Sequence, residues 1–236
     1  MNYCYSQQLG RNLLASRFSP LSLSPALWLD ASDSSTLFNA TTGGSLPADG
    51  QAIARWEDKS GNNRHVAQAT GSHQPLRKTA IQNGKDVVRF DGANDRLDFS
   101  GISSASPWTL YAIYHKYGSF FALMGDDVSS AAINDFSNGA IYSSASDNTY
   151  VGCASPAGFN LVTVNKGATF KQYVNGSYSN NDSGSSPCGS TFSTLGLAGG
   201  NFSGGDLCEL LFFQSSHSNT DRATVEAYLN AKWAIY

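Results

Sequence analysis

Residues 159–176 read FNLVTVNKGATFKQYVNG. Two runs rich in Val, Leu, Phe and Tyr flank Asn165-Lys166-Gly167; the former residues suit a pleated, half-buried surface, and Asn and Gly tolerate the backbone of a short turn. The segment predicts an antiparallel hairpin with Gly167 in the left-handed region. Similar runs, broken by Gly, Asn, Asp and Ser, recur from Ala26 onward: ALWLDA (26–31), AIARWED (52–58), DVVRFDG (86–92), RLDFS (96–100), WTLYAIYHK (108–116), SFFALMG (119–125), AAINDF (131–136), GAIYSS (139–144), TYVGCA (149–154), FNLVTVNK (159–166), TFKQYVNGSY (169–178), TFSTLGLA (191–198) and DLCELLFFQ (206–214). Close spacing with no helical period between them predicts an all-β, antiparallel two-sheet sandwich and argues against βαβ units. Leu207 to Phe213 is apolar at consecutive positions, as in a central strand covered on both faces.

The two ends differ from this pattern. From Ser218, SNTDRATVEAYLNAKW spaces Val225, Tyr228, Leu229 and Trp233 helically, and Ser218 with Asp221 makes an N-cap with an acidic first turn, so one short amphipathic helix closes the chain. Residues 1–24 end in the Pro-punctuated FSPLSLSP and read as an extended arm before a single domain at 25–236. The arm holds Arg11 and Arg17 but no apolar run of the secretory-signal kind, so the expected settings are the cytoplasm, a particle assembled there, or a chain already processed.

The composition excludes several partners. Charged residues make 14% of the 236, the net charge is −3, and residues 117–220 carry seven acids against two lysines. Nucleic acid and anionic membranes are therefore not expected partners, and no stretch has the length of a membrane span. Only Glu57, Glu209 and Glu226 are glutamates, which with 23 Gly disfavours long helices. Cys4, Cys153, Cys188 and Cys208 permit three pairings in an oxidising setting, with a Cys153–Cys188 link among them; Cys208 reads as a small buried hydrophobe. They form no CxxC and do not cluster with the four His, so zinc is not expected.

Four segments in order, LWLDASD (27–33), RWEDKSGNNRH (55–65), VVRFDGANDRL (87–97) and DLCELLFF with SNTDRATVEAYLNAKW (206–233), resemble the laminin-G-like branch of the concanavalin A-like lectin/glucanase superfamily. The resemblance covers about residues 26–234 and includes YVNG at 173–176, where that family has a hairpin. It implies a jelly-roll with carbohydrate or protein binding as the usual activity. A helix after the last strand is common in bacterial and phage members. With the starting Met, the low charge, the lack of a secretory-signal run and the patternless arm before such a unit, the expected setting is a virion-type display or adhesion protein, tethered through residues 1–24 to other virion proteins and compatible with a homo-oligomer. A secreted or cell-surface carbohydrate-binding lectin is the alternative.

By the same resemblance Asp58, Asn62 and Glu209 become ligands for a calcium ion, although the loop lacks the Gly and acidic positions of an EF-hand. A plain turn explains the loop equally well, with Glu209 in a salt link to Arg55 or Arg89 as the other reading. In FDGAND, Asp91, Asn94 and Asp95 fit turn chemistry, as do Asp30 and Asp33 in LDASD. The superfamily's catalytic Glu-x-Asp-x-x-Glu is absent, Asp126-Asp127 would face opposite ways in a strand, and no Gly-x-Ser-x-Gly occurs, so the expectation is a non-catalytic protein, with a polysaccharide hydrolase or lyase as a further alternative. His115 follows a strand and reads as a strand-end residue. Of the 4 Trp, 11 Tyr and 13 Phe, Trp28, Trp56, Phe90 and Trp233 are expected in packing. Tyr117, Tyr142, Tyr150 and Tyr178, beside Gly, Ser or Asn loops, and then Trp108, are the expected sugar-stacking residues.

Overall fold

The computed structural model describes residues 18–105, 107–126, 132–136, 140–143, 150–152, 156–178 and 191–236. Its strands are β1 (Leu27–Asp30), β2 (Leu37–Phe38), β3 (Arg55–Trp56), β4 (Val66–Ala67), β5 (Leu76–Gln82), β6 (Lys85–Asp91), β7 (Leu97–Ser103), β8 (Trp108–Lys116), β9 (Phe120–Gly125), β10 (Ala132–Phe136), β11 (Ala140–Ser143), β12 (Tyr150–Gly152), β13 (Asn160–Lys166), β14 (Phe170–Val174), β15 (Ser177–Tyr178), β16 (Thr191–Leu195), β17 (Leu197–Ala198), β18 (Asn201–Phe202) and β19 (Gly204–Phe213), followed by helix α1 (Asn219–Trp233).

Two antiparallel sheets form a sandwich. The first runs β15-β14-β13-β8-β19-β6-β5, and the second β12-β11-β10-β9-β16-β7-β4-β3-β2. In the first, β19 is the keystone. One of its edges pairs with β8; the other is shared, β6 taking residues 204–207 and β1 taking 209–212. Gly205 is required there: its φ is +151°, and a Cβ would lie 2.2 Å from the His115 carbonyl oxygen.

Between the sheets lies an apolar core in which Trp108 packs against Phe170, Phe192 and Phe212 at ring separations of 6.1, 6.1 and 5.7 Å. A second apolar layer forms on the outer face of the first sheet, where Val225, Leu229 and Trp233 of α1 cover Tyr111, Ile113, Cys208, Leu211 and Phe213. Both faces of β19 are thus covered, as its consecutive apolar positions on either side of Glu209 predict. The helix begins as expected, the Ser218 Oγ accepting from the Asp221 backbone N–H. Trp28, Trp56, Phe90 and Trp233 are all buried.

Some local readings are corrected. The β13–β14 strands continue to Lys166 and resume at Phe170, so the loop is Gly167-Ala168-Thr169, and Gly167 is not left-handed. A Cβ there would come 2.8 Å from the Ser216 Oγ, which gives close approach rather than backbone handedness as the reason for glycine. TFKQYVNGSY is two strands joined by Asn175-Gly176, with φ of 51° and 76°, and β5, a strand outside the expected runs, joins β6 through Asn83-Gly84 at 48° and 69°. AIARWED contributes only Arg55–Trp56 to a strand. Within the predicted arm, Pro20–Leu23 is a 3-10 turn capped by Ser19, and Phe18 meets Tyr228 of α1 edge-on at 5.8 Å, so residues 18–24 pack on the domain and are not extended. The rest of the arm, and Asp127, Cys4, Cys153 and Cys188, lie outside the described residues; Cys208 is buried with a free thiol.

Candidate functional site

On the outer face of the first sheet, beyond the area that α1 covers, the ladder sets Arg89, Asp206 and His115 side by side on β6, β19 and β8. Arg89 grips the buried Asp206 carboxylate with two donors, Nε to Oδ1 at 2.6 Å and Nη2 to Oδ2 at 2.8 Å. Tyr117, one residue beyond β8, donates its hydroxyl to Asp206 Oδ2 and accepts from Arg89 Nη2 at 2.9 Å. Burial, then the bond to Asp206, pushes the Tyr117 pKa up to about 12, so the phenol stays a neutral donor. The Asp206 carboxylate holds the Arg89 pKa above its ordinary value.

Tyr117 nevertheless remains 50% exposed. His115 lies edge-on to it at 4.7 Å, Arg89 sits 5.2 Å from its centroid, and Phe159 meets the other side of His115 at 5.1 Å. The result is a half-exposed aromatic ring whose polar tip is fixed by a buried ion pair, bordered by an imidazole and a guanidinium. A ring held in this way loses little freedom when a flat apolar surface stacks on it.

The other sugar-stacking expectations fall elsewhere. Tyr178 is 54% exposed on β15 and meets the Tyr173 ring at a tilt, with centroids 5.4 Å apart. It belongs to the row Tyr178, Tyr173, Thr163, Tyr111, and Tyr117 is six residues further along than Tyr111, about 20 Å at the rise of a strand. Tyr142 and Tyr150 pair directly across β11 and β12 in the second sheet, with Asn134 next in the row. Trp108 is a correction: it is fully buried at the centre of the core, donating Nε1 to the Ser104 carbonyl at 3.0 Å, because its strand points alternate residues between the sheets.

The expected calcium ligands do not converge. Asp58 organises its own loop, Oδ1 accepting from the Trp28 and Ser60 amides and Oδ2 from the Ser60 hydroxyl and Arg64 amide, at 2.7–3.0 Å. Asn62 donates to the Pro25 and Ala26 carbonyls at 3.0 and 3.3 Å. Glu209, fully buried, accepts from the indoles of Trp28 and Trp233 at 2.8 and 2.6 Å and from Lys232 at 2.8 Å. These oxygens already face hydrogen donors, so the set does not fit a cation, and among the described residues no group of three metal-ligating side chains gathers. Nor does Glu209 meet Arg55 or Arg89: Arg55 pairs with Glu57. Beside the Asp58 loop a groove of about 610 Å³ is lined by Leu21, Pro25, Asn62, Arg64 and Gln214, among others. Among the described residues no helix is long and apolar enough to cross a membrane.

This geometry defines a two-sheet antiparallel sandwich with a preformed aromatic surface site. No protein-family model and no curated protein matches the sequence. Solved structures do match in fold. Domain 4 of AbnA, a GH43 extracellular arabinanase from Geobacillus stearothermophilus in complex with arabinotriose, aligns at a TM-score of 0.59 and 11% identity over 76% of this chain and 100% of its own. A Trypanosoma rangeli sialidase with the inhibitor DANA aligns at 0.55 and 14% over 95% of this chain, and a botulinum neurotoxin type C structure, described as dependent on two ganglioside molecules for cell entry, at 0.57 and 13% over 89%. The chain spans 37% of the sialidase and 53% of the toxin chain.

Proposed function

We propose that this protein is a non-catalytic glycan-binding sandwich and that the Tyr117 ring, flanked by His115 and Arg89, is where the sugar stacks. The observation that carries the reading is the half-exposed ring with its hydroxyl anchored on Asp206 and Arg89. The apolar face of a pyranose or furanose suits such a surface, and Arg89 and His115 offer donors to its hydroxyls. The similar folds add support through what they bind by name: arabinotriose for the arabinanase domain and gangliosides for the toxin. Hydrolysis of a glycosidic bond ordinarily needs two carboxyl groups about 5 to 9.5 Å apart. The carboxyl built into this platform is Asp206, and both its oxygens are engaged. The laminin-G-like assignment and display on a virion or cell surface belong to the same reading, with tethering assigned to the arm at residues 1–24.

The test is a glycan array followed by titration calorimetry on the strongest hit. Tyr117→Ala is expected to weaken binding at least tenfold, and Tyr117→Phe, which keeps the ring, much less. Binding that survives Tyr117→Ala unchanged, or release of sugar from a polysaccharide panel, would overturn the proposal.

A further inference from the structure

Behind α1 the sheet buries a second constellation that glycan binding does not use. Asp30 on β1 and Glu209 on β19 are register partners. Lys232 of α1 inserts its ammonium between them, Nζ lying 2.6 Å from Asp30 Oδ1 and 2.8 Å from Glu209 Oε2. The side chains of Asp30 and Glu209 are 4% and 0% exposed, that of Lys232 only 16%. The indoles of Trp28 and Trp233 wall the site and donate to Glu209. Asp30 Oδ1 also accepts from the Ser32 amide at 3.1 Å and hydroxyl at 2.7 Å, while Oδ2 accepts from Lys59 at 2.8 Å.

From this geometry we infer that Lys232 and Asp30 join in an intramolecular isopeptide bond, with Glu209 carrying the proton. The amine and the carboxyl group it must attack are held at hydrogen-bond distance in a largely buried site, the arrangement in which intramolecular reactions gain most over their bimolecular counterparts. Glu209 takes a proton from Nζ. The freed amine attacks Cγ of Asp30, the Ser32 donors and Lys59 steadying the charge on the carboxyl oxygens. Glu209 returns that proton to the departing oxygen and then relays a second one to it from the nitrogen, so the nitrogen ends with one hydrogen and the oxygen leaves as water. The ammonium and carboxylate become a neutral amide, and no oxidant, metal or nucleotide is consumed. Burial raises the Glu209 pKa, which suits a proton acceptor. Burial also pushes the Asp30 pKa up, but the two ammoniums outweigh it and hold it low, so the reaction starts from the ion pair.

The test is the intact mass of the folded, full-length protein, followed by trypsin digestion under denaturing conditions. The expected mass is one water below that of the sequence, with peptide 18–55 joined to peptide 223–236 because modified Lys232 resists cleavage. Lys232→Arg keeps the ion pair and cannot form the amide; it should show the full mass and melt several degrees lower. Glu209→Gln should show the full mass even where it folds. A wild-type mass equal to the sequence, with cleavage after Lys232, would overturn the inference, whatever the glycan experiments return.

Discussion

Replacing Trp108 by Phe separates a core role from a binding role. The indole fills the space between Phe170, Phe192 and Phe212 and is fully buried. Exchange for phenyl removes roughly 40 Å³, and unrefilled cavity costs about 24 cal/mol per Å³, or about 1 kcal/mol. The apolar surface withdrawn from burial adds about 1 kcal/mol. Loss of the Nε1 bond to the Ser104 carbonyl adds about 1 kcal/mol more. The expected loss is therefore about 3 kcal/mol, read as a lower urea midpoint at unchanged slope, or about 6 to 12 °C in Tm for a domain of this size. Glycan affinity measured well below the midpoint should not change. A stability loss under about 1 kcal/mol together with altered glycan affinity would refute the reasoning, because it would place the ring at the surface.

Two further outcomes follow from charged groups. Asp95, buried and beside Asp91, has its pKa raised from 3.8 to about 6. Its unfolded form ionises first, so its contribution favours the folded state below pH 4 and is lost as the pH rises through 6; Asp95→Asn should flatten that part of the stability profile in urea titrations from pH 3.5 to 7. Millimolar calcium against an EDTA control should leave the melting midpoint unchanged, since the oxygens of Asp58 and Glu209 already accept from protein donors; a rise of several degrees would mean an ion site in the folded state.

What was legible in the sequence was local or periodic. Trp108–Lys116 coincides with its predicted run, and Ser218 marked the helix start, because each depends on residues within a few positions. The Asn83-Gly84 turn is equally local, but LRKTAIQ, its incoming strand, is half-exposed and charged and lacks the apolar run by which a strand shows in a sequence. Tyr117 could be proposed as exposed from its Gly-Ser neighbours. Its anchor could not, because Arg89 and Asp206 are 117 residues apart and meet only through the β6–β19 register. Trp108 was misplaced because nothing in one sequence says which face of a strand looks inward. Lys232 reads as an ordinary late-helix cation, and only the docking of α1 brings it to Asp30.

The position of β19 also bears on how the chain is made. Because β8 flanks it on one side and β1 with β6 on the other, the first sheet stays split into two halves until residues 204–213 have left the ribosome. Until then β8, nine residues of which seven are buried in the finished protein, presents an unpaired edge to its surroundings. The first sheet thus waits on the insertion of one late strand between partners made long before it, which makes that insertion its slow step.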